Sequence, residues 1–363
     1  MSDEDCRQIF IKFAARLSSI GPAKLPGFTY GWLALIQHRV FLPTMLTMPD
    51  NEGWASMARL ISQLLGNLGE QLKALTVSTV AKDLYRATFK LLVVISHDFP
   101  DFLAGNHVQL CENIPPHCTQ LINAIVAANP QQGASKGIDQ ASKIDRMEEM
   151  KTPPQSSDES SIILLDSGIL GMLDQAIQNG PSEDIVAQIA HTMTQGDEGD
   201  TTFGHIPVDV NRRVVGAVVM HIGKHAAERA VQADGSIHIT GKEADVSTLS
   251  LLVHELPVAA RYYLIGSIFN HLRYPNAHTN YFSQVLLNIF AKDMDDPEET
   301  EIRQDITRVL LERLSGFWPQ PWGLMCTVVE LLKSEKYMFF DLPFIKADPD
   351  VSWLMTFNSD MRY

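Results

Sequence analysis

Cysteine is scarce in this chain. Four thiols, Cys6, Cys111, Cys118 and Cys326, are scattered through 363 residues. So few and so widely spaced, they exclude a disulfide framework and fit a reducing compartment. Long apolar runs are missing as well. The longest, 91–95 and 214–220, fall far short of the roughly 20 residues a membrane span needs. The N-terminus, Met1-Ser2-Asp3-Glu4-Asp5, lacks the basic-then-apolar order of a signal peptide. Together these absences predict a soluble, intracellular protein with no membrane contact. Basic residues are outnumbered, 29 Lys and Arg against 43 Asp and Glu, for a formal net charge of −14. An acidic surface repels phosphate, so tight binding of RNA by the chain itself is disfavoured.

Catalytic signatures are absent too. The chain carries no Gly-x-x-x-x-Gly-Lys-Ser/Thr phosphate loop, no Gly-x-Gly-x-x-Gly, no Gly-x-Ser-x-Gly elbow and no His-Glu-x-x-His. Cys111 and Cys118 stand seven apart, unlike the close pairs of a zinc site, and are expected to be plain thiols. His221 and His225, four apart on a helix, would need a third ligand such as His205 or His238 to hold a metal; ordinary polar positions explain them better. The expectation is therefore no enzyme, no cofactor and no metal.

What is present is helical periodicity. Trp54, Met57, Leu60, Ile61, Leu64, Leu65 and Leu68 recur at spacings of three and four, one apolar stripe of a helix. Ile185, Val186, Ile189, Ala190 and Met193 repeat the pattern, as do Ile302, Ile306, Val309, Leu310 and Leu314 with Arg313 at the stripe's edge. Asp295-Asp296-Pro297-Glu298-Glu299 reads as a helix entry, with a capping Asp, Pro at the first position and acids opposing the dipole. No strand pairs are expected, and the alternating run 236–240 is read as an extended loop.

Prolines and glycines cut the chain into helix-sized pieces. Residues 131–160 are polar and rich in Ser, Gln, Gly and Pro; they predict a flexible linker, with Ile144, Met147 and Met150 as one short helix inside it. The division is an N-terminal set of helical repeats, 1–130, and a C-terminal set, 161–363, together one elongated scaffold domain. The fold expected is all-α, a HEAT-like solenoid of stacked antiparallel helix pairs. The segment 196–200 is a second flexible point. The aromatic stretches 28–32 and 317–322 read as core packing at helix entries, or as a pocket for a partner's side chain. In the corner 271–282, Pro275 ends one helix and Asn276 or Thr279 caps the next.

That corner resembles a known family. Leu272-Arg273-Tyr274-Pro275-Asn276-Ala277-His278-Thr279-Asn280-Tyr281-Phe282 is similar to a signature of the C-terminal Not-type homology domain in the largest scaffold subunit of the Ccr–Not deadenylase complex. Residues 308–314, 319–324 and 330–333 match the same domain in order, and so do 30–39, 97–103 and 114–118. The likeness runs from about Pro26 to Pro130 and from about Pro207 to Phe344; the stretch 131–204 departs from it. The resemblance implies helical repeats without an active site. It implies a platform for the Not-box subunits, which wrap extended N-terminal arms around the domain. It also implies a part in mRNA deadenylation, translational repression and mRNA decay, in the cytoplasm and with nuclear roles. By position it points to Arg273, Tyr274, His278, Tyr281, Trp318 and Trp322 as partner-binding residues. The rival reading is an RNA-binding helical repeat, with RNA contacted weakly or through partners.

Overall fold

The computed structural model of the chain describes residues 3–74, 76–131, 147–154, 159–196, 201–203, 206–232, 239–292, 296–316 and 318–347. The first seven helices are α1 (Asp3–Ser19), α2 (Thr29–Ile36), α3 (Phe41–Leu46), α4 (Trp54–Leu72), α5 (Thr79–Asp98), α6 (Pro100–Glu112) and α7 (Thr119–Val126). After them come α8 (Glu159–Asp166), α9 (Leu170–Asn179), α10 (Glu183–Met193) and α11 (Arg212–Gln232). The last are α12 (Ala244–Glu255), α13 (Val258–Phe269), α14 (Ala277–Phe290), α15 (Pro297–Ser315), α16 (Trp322–Lys333) and α17 (Pro343–Ala347).

The apolar stripes dictate which faces are buried. On α4, Met57, Leu60, Ile61, Leu64, Leu65 and Leu68 are all sealed from solvent, while Trp54 is half-buried with its Nε1 donating to Leu46 O at 3.2 Å. On α10, Val186, Ile189, Ala190 and Met193 are buried. The helix starts because Ser182 Oγ accepts from Ile185 N at 3.4 Å. Before it, Gly180 closes α9 at φ 98°, a left-handed backbone that costs a glycine little. The acidic entry to α15 forms as its residues dictate: Asp296 Oδ1 accepts from Glu298 N at 2.9 Å, with Pro297 in the first turn.

Helices pack mainly on their near neighbours in the chain: α4 on α5 and α6, α5 on α7, and α9 on α10 and α12. This is the neighbour-on-neighbour stacking of a HEAT-like, all-α repeat. Two apolar cores result, one between Ala14 and Ala128, the other between Leu164 and Ile345. The helices α6 and α7 of the first core meet α11 and α15 of the second.

The structure departs from the sequence expectations in two places. A small antiparallel hairpin, β1 (Thr201–Phe203) with β2 (Ile206–Val208), stands where no strands were expected; runs of three residues are too short to show alternation. Arg313 is buried rather than at the edge of its stripe, because Nη2 donates to Asn270 Oδ1 and to Gly266 O on α13. Within the expected linker, a short 3-10 turn spans Glu148–Lys151 and buries Met147 and Met150. Thr152 O there accepts from Ala277 N at 2.9 Å, fastening the segment to α14. Ile144, most of the linker, the acidic part of 196–200 and residues 236–238 lie outside the described residues.

Candidate functional site

The corner between α13 and α14 is built by its own polar groups. Asn276 Oδ1 accepts from Thr279 N at 3.1 Å, so Asn276 is the N-cap of α14. Thr279 Oγ1 approaches His271 O at 3.0 Å and Tyr274 O at 2.9 Å, tying the turn together. The carbonyls of Arg273 and Leu272 then accept from Gly323 N (2.6 Å) and Leu324 N (3.2 Å). Those N–H groups belong to the first turn of α16, which has no partner for them within its own helix. A Cβ at Gly323 would lie 2.4 Å from the Thr279 methyl and 2.8 Å from Arg273 O, so only glycine permits this approach.

From this corner Arg273 reaches across to the first core. Its Nη1 donates to Ala104 O at 2.7 Å and to His107 Nδ1 at 3.1 Å. His107 Nδ1 also lies 3.0 Å from Ala104 O, and its Nε2 lies 3.4 Å from His271 Nδ1. The rings of His271 and Phe282 stack at 4.7 Å, and His278 packs edge-on beside them. Arg273, His107, His271, His278 and Tyr281 are at most 1 % exposed, and Tyr274 is buried.

Burial sets the protonation states of this seam. It drives His107 and His271 well below the usual histidine range, with nearby Arg273 and the other imidazoles adding to the effect. His278 falls to about 3 through burial, then through Arg273 and Lys224. Arg273 is pulled down to about 10 by burial and so remains a cation at neutral pH. The Tyr281 hydroxyl is pushed well above its ordinary value, first by burial and then by Asp245.

The six residues singled out by sequence therefore part company. Arg273, Tyr274, His278 and Tyr281 come together inside the protein, where they join the two cores and show almost no surface. Trp318 is 76 % exposed, and Trp322 is half-buried. Of the histidines weighed as metal ligands, His221 instead meets Asp174 at 2.7 Å, and His205 and His238 lie outside the described residues. No group of three His, Cys, Asp or Glu converges on a metal position among the described residues. Cys111 and Cys118 are free thiols pushed up to about 12 by burial, which leaves them unreactive. Among those residues no single helix is long and apolar enough to cross a membrane.

A second meeting place of the cores went unseen in the sequence. A cleft of about 820 Å³ opens between α4 and the end of α6 on one side and α8 and the start of α11 on the other. Glu112, Arg212, Arg213 and Tyr263 stand on its walls. Arg212 Nη2 donates to Cys111 O at 3.2 Å and to Ile114 O, binding α11 to the first core. Glu112 is an acid at the last position of a helix, next to the negative end of the dipole. That broken local rule was the available signal.

Comparison with known proteins places the whole chain. The family model described as "CCR4-Not complex component, Not1" matches residues 1–358, including the middle segment that carries none of the recognised motifs. The CCR4-NOT transcription complex subunit let-711 of Caenorhabditis elegans is 30% identical over 94% of this chain and 13% of its own length. General negative regulator of transcription subunit 1 of Saccharomyces cerevisiae is 28% identical over 98% of this chain and 17% of its own. The chain thus spans less than a fifth of the curated relatives it matches. The solved NOT1 superfamily homology domain from Chaetomium thermophilum is 47% identical with a TM-score of 0.91, covering 99% of this chain and 70% of that one. A Not1 C-terminal domain solved in complex with Not4 is 26% identical with a TM-score of 0.82, covering 97% of this chain and 71% of that one. This chain belongs to the Not1 family of CCR4-Not complex components.

Proposed function

We propose that this chain is a non-catalytic scaffold that docks other subunits of a CCR4-Not complex, a Not4-type subunit and the Not-box subunits among them. The observation that carries this reading is its likeness, over 97% of its length, to the Not1 C-terminal domain solved with Not4. In this reading the two helical sets, 1–130 and 161–363, act as one body. Through the assembly it supports mRNA deadenylation, translational repression and mRNA decay, in the cytoplasm and the nucleus, and RNA is reached through partners.

The surface suits extended polypeptide arms. Large apolar side chains stand exposed along the first three helices and their loops: Ile9, Phe13, Leu25, Phe28, Tyr30 and Val40. Partner arms that order on binding need such area to offset the entropy they lose. Trp318 and Trp322 serve as a second contact, because aromatic anchors carry a large share of binding energy. Arg273, Tyr274, His278 and Tyr281 contribute from beneath, by holding the α13–α14 corner in place.

Co-expression with a Not4-type subunit and with the Not-box subunits tests the proposal. Stable co-purification is expected, and it should weaken in a Phe28→Asp/Tyr30→Asp variant that stays folded. A chain that captures none of these subunits, or that turns over a poly(A) substrate by itself, would overturn it.

A further inference from the structure

Glu112 lies where two cavities meet. It lines the 820 Å³ cleft and also a smaller cavity of about 60 Å³ behind it, walled by Tyr262, Tyr263 and Arg313. Its Oε1 is closed off from solvent and has no hydrogen-bond partner. Gly216 of α11 makes the room, since a Cβ there would sit 2.5 Å from that oxygen.

Of the other charges facing the cleft, Asp166 at the end of α8 stands outside any ion pair among the described residues and the rest are engaged. Lys73 Nζ meets Glu70 at 2.7 Å, Arg213 Nη2 meets Glu159 at 3.8 Å, and Arg212 is held by the two carbonyls of the α6–α7 connection. Glu112 is left over. Burial pushes its carboxyl up to about 8 even though Arg212 and Arg213 pull the other way. An acid held neutral by desolvation, with one oxygen unsatisfied, gains both a charge partner and donors when a cation enters.

We propose that this cleft receives an arginine side chain from a docked polypeptide, whose guanidinium pairs with Glu112. Guanidinium suits the site better than ammonium: once Glu112 ionises and turns toward the cleft, the planar fork donates to both of its oxygens. A polypeptide suits it better than a small free cation. The cleft is far larger than one side chain requires, and Gln109 on its wall offers an amide to a main chain. The formal net charge of −14 draws basic segments toward the protein. Pairing ionises Glu112, and its proton passes to the buffer. The inference rests on the scaffold reading above and specifies one of its contacts.

Isothermal titration calorimetry on the whole chain at pH 7 tests it, using buffers of different ionisation enthalpy. The probes are Ac-Ala-Arg-Ala-NH2, its uncharged citrulline counterpart and butylguanidinium. The arginine peptide is expected to bind at least about tenfold more tightly than the citrulline peptide or butylguanidinium and to release a proton, since tenfold in affinity is about 1.4 kcal/mol. In Glu112→Gln both the preference and the proton release should vanish. Equal binding of the two peptides, no proton release, or an unchanged preference in Glu112→Gln would overturn the proposal. Butylguanidinium binding as tightly as the peptide would overturn the polypeptide occupant. Should Glu112→Gln fail to fold, the wild-type peptide comparison and proton count still decide. A wild-type chain that captures its subunits yet shows no arginine preference refutes the cleft alone; one that captures none refutes the scaffold reading.

Discussion

Between the same two cores lie a closed polar seam and an open cleft, and each holds one ionisable group outside any ion pair. At the seam the group is Arg273; at the cleft it is Glu112. The guanidinium stays charged because its ordinary value lies far above neutral: burial lowers it only to about 10, with the Ala104 carbonyl and the His107 ring beside Nη1 while Nε and Nη2 have no hydrogen-bond partner. Three neutral histidines complete the packing, and no solvent enters. The carboxyl of Glu112 has only acceptors when ionised and finds no donor for Oε1, so it stays protonated at neutral pH. A buried charge is kept where its ordinary value lies far enough from neutral to survive burial, and is given up where it does not.

The sharpest way to break this contrast is pH. The seam histidines have depressed values in the fold, so they are neutral there and take up protons only on unfolding. Their contribution is fully present above the unfolded histidine value of about 6.5 and is lost as pH falls toward about 3, where His278 titrates. Between pH 7 and pH 5 the loss from His278 is on the order of 2 kcal/mol. Urea midpoints measured across that range should fall steeply, and His271→Phe or His278→Phe should flatten the fall. A pH-independent midpoint would mean that the seam is wet.

Next in size is the guanidinium itself. Arg273→Ala removes the bridge to Ala104 O and leaves a cavity, with an expected loss of about 3 kcal/mol. Arg273→Met keeps most of the volume and discards the charge, so its loss should be near 1 kcal/mol. Equal losses in the two variants, read by denaturant titration, would show that polar bonding rather than packing holds the seam.

The cleft should respond in the opposite sense. The carboxyl of Glu112 is raised from 4.5 to about 8 in the fold. Its contribution is therefore fully present below about 4.5 and is lost as pH rises through about 8. Glu112→Gln should raise stability at pH 8 and change it far less at pH 5. A variant less stable than wild type at pH 8 would place Glu112 in an ion pair after all. The smallest effect belongs to the exposed surface. Trp318→Ala should move stability by less than about 0.5 kcal/mol while reducing capture of partner subunits.

The sequence revealed most where the forces are local. The α4 stripe needed only its spacing, and the α15 entry and the Asn276 cap needed only a few neighbouring residues. The corner motif was found, but its orientation was not. Nothing within ten residues of Arg273 tells that its guanidinium points inward, because the groups that receive it, Ala104 O and His107, lie more than 160 residues away in the chain. Arg313 was placed at a stripe's edge for the same reason, since Asn270 waits on another helix. Trp318 was singled out with Trp322 from one aromatic run, and only tertiary packing separates the exposed ring from the half-buried one. Glu112 alone carried a local warning, an acid where a helix's carbonyls already crowd negative charge.

Because synthesis runs from the N-terminus, α6 leaves the ribosome long before α13 and α14 exist to cover it. The face it must present meanwhile includes the His107 imidazole and the Ala104 carbonyl, both readily hydrated, among its apolar side chains. A greasy face of the same extent would invite neighbouring nascent chains to stick. The polar composition of the joint thus gives the earlier half a surface on which water can hold the place of the later one until it arrives.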